Sequence, residues 1–598
     1  MGPPLKQREA EREAITAPEG LAALSLDALT SVAYGPQAIL VVLVTAGAAA
    51  LPDVVPVTVA IVALLAVLVL SYIQVIDAYP GGGGAYAVSR ENLGVRASLL
   101  AGASLIVDYT LTVAVSIAAG VAALTSAVPA LAPFTVEIGL MMLAIIMVMN
   151  LRGVGESARA FLLPTFLFIV GLLAVIVAGW LRPSVPAAPI PPPAVPHVLE
   201  PIGALLLLRA FAAGCSALTG VEAIANGVPL FRAPSAVRAK WTEVMLGVIL
   251  GIMLLGLAGL ATRFHVAPQA AQTVLSQIMT AAVGRGPVYY VVALSITVVL
   301  GLAANTSFGG LPVLASLLAS DNYLPHVFAV RGDRQVFQYG IWVLALGAAA
   351  LIVAVGGNTD ALIPMYAIGV FTGFTLSQSG MVVHWWRTRP RRWRLRTGFN
   401  ALGAVATGVS TVVFVLSKFT SGAWVVVAVI PLLILLFTRV RRYYDFVREE
   451  LALGELPGPL VPRSTLVIVP IRGLSRLTSL ALSDAVSFGQ NVVAVSVLFD
   501  DASVARLEAD WERWQPGVRL VTLRSQYRSV VRPILRFVNS IEVSGHDRVM
   551  ILIPEIVPAH WFQGFLHNQM SIILAAALRN RENVVVGMMP LHLRDERR

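Results

Sequence analysis

Residues 21–48 read LAALSLDALTSVAYGPQAILVVLVTAGA. The stretch is long enough to cross a bilayer and is apolar almost throughout, yet it carries Asp27. A carboxylate at membrane depth costs roughly 2.5–3.5 kcal/mol on insertion scales. It therefore needs a cation, a proton or an internal donor. Ser31, Tyr34, Gly35 and Pro36 follow in the same stretch. Gly and Pro break helices, and broken backbone survives in a membrane only where it lines a cavity or is buried in protein. An acid beside a broken helix reads as an ion or substrate site.

The rest of the chain sets this stretch in a membrane. Hydrophobic residues make up 57% and charged residues 13%, and mean hydropathy is +0.79. Soluble domains carry about 25% charged residues. Apolar runs of spanning length recur twelve times, near residues 21–47, 54–79, 97–126, 136–151, 158–181, 202–229, 241–262, 287–313, 339–356, 361–385, 398–417 and 421–438. Residues 1–20 are polar and the first apolar stretch is already a full span, so no cleavable signal peptide is expected. Cys215 is the single cysteine. It rules out an internal disulfide, and no metal-ligand spacing is present.

The net charge of +10 invites a nucleic-acid reading, but the basic residues follow membrane topology. Connections holding Arg90 and Arg96, Arg152 and Arg159, Arg232, Arg238 and Lys240, Arg331 and Arg334, and Arg387 to Arg396 alternate with nearly uncharged ones. The positive-inside rule puts the Arg-rich loops in the cytoplasm, with both termini inside a multi-pass plasma-membrane protein. The run RTRPRRWRLR at 387–396 reads as a cytoplasmic anchor on anionic headgroups rather than a nucleic-acid patch.

After about residue 445 the pattern changes. A linker of turn formers at 446–462 contains LPGPLVP. Beyond it, at 463–598, short β-branched runs at 465–470, 491–498, 518–523, 548–553 and 584–588 alternate with amphipathic stretches at 475–488, 502–514, 528–541 and 560–580. Such alternation predicts a parallel sheet with helices on both faces. The domains expected are a membrane part at 1–445, the linker, and a cytoplasmic α/β regulatory domain.

Polar groups recur at depth in the membrane part. Asp108 and Tyr109 lie in the third run, with Thr112 one turn and Ser116 two turns beyond Asp108. The sixth carries Thr219, Gly220 and Glu222, and the tenth has Tyr366 after Pro364. The first and sixth runs, five apart, each combine an acid, hydroxyls and a helix-breaking Gly. Interrupted helices at corresponding positions of two halves point to a transporter's midplane site. Carboxylates, hydroxyls and carbonyls are hard oxygen donors, suited to a dehydrated metal cation. Each group has a plainer alternative: a cap, a packing aromatic with a satisfied hydroxyl, or a hydroxyl bonded back to its own helix. The glycines at 81–84 follow no strand and precede no P-loop Lys, so they do not read as a phosphate cradle.

The stretches DALTSVAYGP at 27–36, YPGGGGAY at 79–86, LIVDYTLT at 105–112 and LTGVEAIAN at 218–226 resemble the APC superfamily, and within it the KUP-type potassium transporters of the KimA branch. The resemblance implies a LeuT-type five-plus-five inverted repeat with 12 transmembrane helices, the last two outside the repeat. It also implies a cytoplasmic domain similar to universal stress proteins. It further implies secondary active potassium uptake by K+/H+ symport, usually as a homodimer, with no enzymatic activity and no cofactor. The family's potassium-site positions match Asp27, Tyr34, Asp108, Tyr109, Ser116, Thr219, Glu222 and Tyr366. Asp27, Tyr34, Asp108 and Thr219 would touch the metal ion itself, and Glu222, then Asp27 or Asp108, would carry the proton. The alternative is a proton-coupled amino-acid permease of the same superfamily. Such permeases hold the substrate carboxylate on bare amides of a Gly-rich break, where this chain has Ser31 to Gly35 preceded by an acid. Inhibition by cyclic di-AMP in relatives makes that dinucleotide a candidate ligand, with Arg472, Arg476, Arg524 and Arg528 as candidate contacts. ATP is not expected, because residues 552–560 lack a glycine-rich phosphate motif.

Overall fold

The computed structural model describes residues 15–82, 84–152, 157–182, 201–269, 272–332, 336–419, 422–454, 456, 459, 465–489, 491–525, 529–542, 548–558 and 570–593. The chain forms two compact units, Met1–Leu453 and Gly454–Arg598.

Among the described residues of the first unit, eleven helices are long and apolar enough to cross a membrane. Twelve spans of that length were expected. The ninth run forms Gln338–Ala354, a helix of 17 residues. At 1.5 Å per residue it reaches roughly 26 Å, against a hydrocarbon core of about 30 Å. Gly356 and Gly357, at φ 61 and 71, turn the chain at the end of that run. A short helix, Val274–Val283, lies between the seventh and eighth spans, in a segment the sequence reading left as a connection. Thr273 caps it by accepting from the Ser276 amide.

Burial sorts the helices. The most apolar stretches of Leu26–Ala46, Val95–Ala127 and Thr359–Thr388 are 72%, 78% and 71% buried, whereas those of Pro129–Arg152 and Ala423–Glu450 are 17% and 22% buried. The first, third and tenth spans therefore form the centre and the fourth and twelfth the rim. Leu163, Phe166, Leu346 and Leu416 are exposed on the outside. A soluble monomer would not leave so much apolar surface open; a bilayer covers it.

The second unit is a five-stranded sheet: β1 Thr465–Ile471, β2 Val492–Leu498, β3 Arg519–Arg524, β4 Arg548–Val557 and β5 Val584–His592. The order is β3-β2-β1-β4-β5, and all pairings are parallel. Each strand run expected from the sequence is present. Helices Arg476–Phe488, Asp501–Trp514, Val531–Glu542 and Met570–Leu578 connect them. Part of the 560–580 stretch lies outside the described residues. Two apolar clusters, one holding Val467, Val469 and Leu482 and one holding Ile468, Ile534 and Leu574, cover opposite faces. Neighbouring strand residues point to opposite faces, so β1 feeds both cores.

Candidate ion site

The first span is not one helix. Ala17–Leu24 stops at Ser25, Leu26–Thr30 passes into a 3-10 turn at Ser31–Ala33, and Gly35–Leu43 starts anew with Pro36 in its first turn. The sixth span breaks likewise. Ala204–Gly214 gives way to a 3-10 turn at Cys215–Leu218, Thr219 is extended, and helix resumes at Ala223–Asn226. Gly220 makes this break possible. Its φ is +76, and a Cβ there would lie 2.6 Å from Asp27 Oδ2 and 2.9 Å from the Ala28 nitrogen. Only glycine takes that conformation at little cost, and only a residue without a side chain lets the two breaks touch.

At the contact, Ser31 donates to the Asp27 carbonyl (2.8 Å), bonds the Tyr34 hydroxyl (2.6 Å) and meets Thr219 Oγ1 across the break (3.1 Å). Thr219 also bonds back to the Ser216 carbonyl at 3.2 Å. The tenth span supplies one stripe that meets three acids in turn. Tyr366 donates to Asp27 Oδ2 at 3.4 Å. Gly369 packs on Asp108, its missing Cβ 3.3 Å from that amide nitrogen, and the missing Cβ of Gly373 lies 4.0 Å from Glu222 Oε2. Spacings of three and four residues keep the stripe on one helix face. Asp108 accepts from Thr112 at 3.4 Å, and Glu222 accepts from Tyr72 at 3.4 Å. The three carboxyls act electrostatically on one another. Asp27 Oδ1 and Glu222 Oε1 are buried without a hydrogen-bond partner, and a buried polar group without a partner calls for an ion, a water or a proton.

Asp27, Tyr34, Asp108, Thr219, Glu222 and Tyr366 thus gather as the sequence suggested. Tyr109 lies to one side, its hydroxyl accepting from Asn226 at 3.3 Å, and Gly310 lies against its ring. Ser116 is buried, and among the described residues no hydrogen bond ties it to the cluster. Among the described residues no three His, Cys, Asp or Glu side chains approach closely enough to chelate a metal. The donors brought together are carboxylates and hydroxyls, hard oxygen groups of the kind that suit a dehydrated cation. The sequence reading missed Tyr72, the aromatic of a helix whose last turns also carry Ser71, Gln74 and Asp77, and it missed the tenth-span glycines. Gly369 and Gly373 form a G-x-x-x-G pair, the signal of close helix approach.

Polar contacts recur on both loop sides of the membrane part. On the side of the uncharged loops, Tyr34, Gln37, Thr273, Ser276, Tyr289 and Thr359 line part of a small cavity of about 40 Å³. Gln37 donates to Asp360 at 3.0 Å and accepts from the Val274 amide at its mouth. On the Arg-rich side, Asp321 accepts from Tyr86 at 2.7 Å and pairs with Arg90. Burial, and then the bonded Asp321 carboxylate, holds the Tyr86 phenol above its ordinary value, so it remains a donor. Two glycines of YPGGGGAY, Gly82 and Gly84, serve packing. Gly82, at φ +91, approaches the Asn226 carbonyl, and a Cβ on Gly84 would collide with the Asn226 side chain.

In the α/β unit the strand order reverses between β1 and β4, the position at which doubly wound sheets bind ligands. Arg472 follows β1, and Arg476 opens the next helix behind its cap Ser475, which accepts from the Thr478 amide. Arg524 ends the outer strand β3 and pairs with Asp501 at 2.7 Å. Arg528 lies outside the described residues.

Comparison with known proteins places the chain among transporters. Residues 22–442 match the amino acid permease family, and residues 463–591 match the family described as the KimA potassium transporter C-terminal domain. The curated potassium transporter KimA of Bacillus subtilis (strain 168) is 41% identical over 601 residues, covering 99% of this chain and 98% of that protein. Two solved structures of mutant manganese transporters from Eremococcus coleocola are 12% identical, with TM-scores of 0.35 and 0.36. They cover 75% of this chain and 97% and 98% of their own chains.

Proposed function

The chain belongs to the KimA-type potassium transporters of the APC superfamily, and we propose that it takes up potassium by proton symport. It is a transporter rather than an enzyme. The observation that carries this reading is the pair of orphaned oxygens, Asp27 Oδ1 and Glu222 Oε1, at two touching helix breaks lined by hydroxyls. Asp27, Tyr34, Asp108 and Thr219 would replace the ion's hydration shell, with Tyr366 orienting Asp27 and with Tyr109 and Ser116 along the path. Glu222 would carry the proton, because burial disfavours a charged carboxyl and a site that releases its cation must be neutralised in another way. At about 100 mV each inward charge gains roughly 2.3 kcal/mol, which co-import of two cations exploits.

The amino-acid alternative has less support from the geometry. At the first-span break the Tyr34 amide is already bonded to the Ser31 carbonyl at 3.2 Å, and Asp27 would repel a substrate carboxylate. The remaining parts of the proposal follow the family and the charge pattern. The crossing beyond the eleven would be the shorter Gln338–Ala354, ninth in chain order, and both termini would lie in the cytoplasm. The domains would run 1–445, 446–462 and 463–598, and the assembly would be a homodimer. A cyclic dinucleotide such as cyclic di-AMP would bind the α/β unit near Arg472 and Arg476 and inhibit transport by favouring one conformation. The test is growth of a strain lacking its own high-affinity potassium uptake. Rescue at low external potassium supports the reading. Rescue only of an amino-acid auxotroph supports the alternative.

A further inference from the structure

One buried acid stands outside the ion site. Glu243, in the seventh span Ser235–Arg263, is 0% exposed, and neither carboxylate oxygen has a hydrogen-bond partner. An ionisable side chain within a spanning helix is expensive and is by default a functional group. Its place is informative. Lys240, one turn earlier, pairs with Asp77 of the second span at 2.7 Å, and the adjacent Trp241 is exposed. Glu243 therefore lies toward the Arg-rich end of its helix, with the apolar body of the span beyond it.

The charged and titratable groups on the elements packed against this helix are few among the described residues. The second span brings Tyr72 and Asp77, the first brings Glu19, Asp27 and Tyr34, and the sixth brings Glu222. Arg238, Lys240 and Arg263 lie on the helix itself. Asp77 is taken by Lys240, and Glu19 accepts from Thr16. Tyr72 differs. Its hydroxyl bonds Glu222 at 3.4 Å and lies within electrostatic reach of Glu243. The contacts of Lys240 with Asp77 and of Gly247 with Val69 bracket Tyr72 and Glu243 at one level of the two packed helices, and a phenol at that level offers a path for a proton.

We propose that Glu243 is the inner proton station, taking over through Tyr72 the proton that Glu222 gives up and releasing it on the Arg-rich side. The proposal rests on the reading of Glu222 as proton carrier. Glu222 loses one proton, Glu243 gains and then loses it, and Tyr72 ends as it began.

The test separates net transport from exchange. Net uptake requires the proton to leave; exchange of internal for labelled external potassium does not. In proteoliposomes, Glu243→Gln should lower net uptake driven by a pH gradient at least tenfold. It should leave potassium exchange within about twofold of wild type and flatten the pH dependence of uptake. Glu243→Asp should restore net uptake in part. Wild-type net uptake in Glu243→Gln would overturn the proposal. So would parallel loss of uptake and exchange, since that is the signature of a structural role. If Glu243→Gln does not fold, normal uptake and pH profile in Tyr72→Phe would overturn it equally, because no bridge would then be needed. Glu222→Gln separates the two readings. Loss of coupling there with normal Glu243→Gln sinks only the inner station, whereas retained coupling in Glu222→Gln sinks the parent reading.

Discussion

Substitution of Gly220 by Ala tests whether the contact between the two helix breaks makes the site. A non-glycine residue at φ +76 costs roughly 1–2 kcal/mol for the left-handed conformation. The added Cβ would lie 2.6 Å from Asp27 Oδ2 and 2.9 Å from both the Ala28 nitrogen and Asp27 Cβ. Two of those three atoms are not flexible tips, so the breaks must separate, at about 1–3 kcal/mol for an overpacked contact. The sum is roughly 2–5 kcal/mol, and because the strain falls between Thr219 and Asp27 it is felt chiefly as lost ion binding. At about 1.4 kcal/mol per decade, uptake at limiting potassium should fall at least thirtyfold while the protein still inserts and purifies. The control is Gly309→Ala, where no atom lies within 4 Å of the added Cβ. That change should leave uptake untouched and stabilise the helix by about 0.5–1 kcal/mol. Initial rates of labelled potassium uptake, with thermal melting in detergent, measure both. A Gly220→Ala protein with wild-type uptake and melting would refute the claim that the breaks must touch.

Asp27→Asn keeps the shape but removes a unit charge near the ion. At about 4 Å and an effective dielectric of 20 that charge is worth roughly 4 kcal/mol, so potassium affinity measured by calorimetry should drop about a thousandfold without loss of membrane insertion. Tyr366→Phe removes one hydrogen bond to Asp27 and should cost about 0.5–1.5 kcal/mol, read as a threefold to tenfold rise in the half-saturating potassium concentration. Glu222→Gln should leave potassium binding measurable but make flux indifferent to a pH gradient at fixed voltage. Calorimetry on the full-length protein should show heat with cyclic di-AMP and none with ATP, and Arg476→Ala should weaken the former; heat with ATP alone would reverse the assignment.

The fold was legible where chemistry forces the sequence. Apolar length marked the spans, and β-branched runs marked β1 to β5. An acid in a hydrophobic run marked Asp27, because water-free surroundings make such a residue too costly to be incidental. Gly and a hydroxyl beside an acid located both breaks. Contacts between distant spans were less legible. Nothing local to Tyr72 says that its hydroxyl faces Glu222, since period and polarity do not specify which neighbour a helix face meets. Glu243 falls at the start of the 241–262 run, next to Arg238 and Lys240, and the sequence reading does not single it out; only packing shows it buried. The ninth run, 339–356, is apolar to its end, but nothing in its composition marks that its helix stops at Ala354 before the positive-φ Gly356. Tyr109 and Ser116 enter the site through the family resemblance; Tyr109, adjacent to Asp108 in the chain, turns its hydroxyl to Asn226, because successive helical residues face different ways.

The central claim is that inward proton movement drives potassium through the cluster of Asp27, Asp108 and Glu222. The most direct measurement is labelled potassium flux into proteoliposomes of the purified full-length protein, with potassium equal on both sides and voltage held at zero. An inward pH gradient alone should drive net accumulation, absent in Glu222→Gln vesicles. Accumulation that ignores the pH gradient, or that appears only when an amino acid is added, would contradict the account.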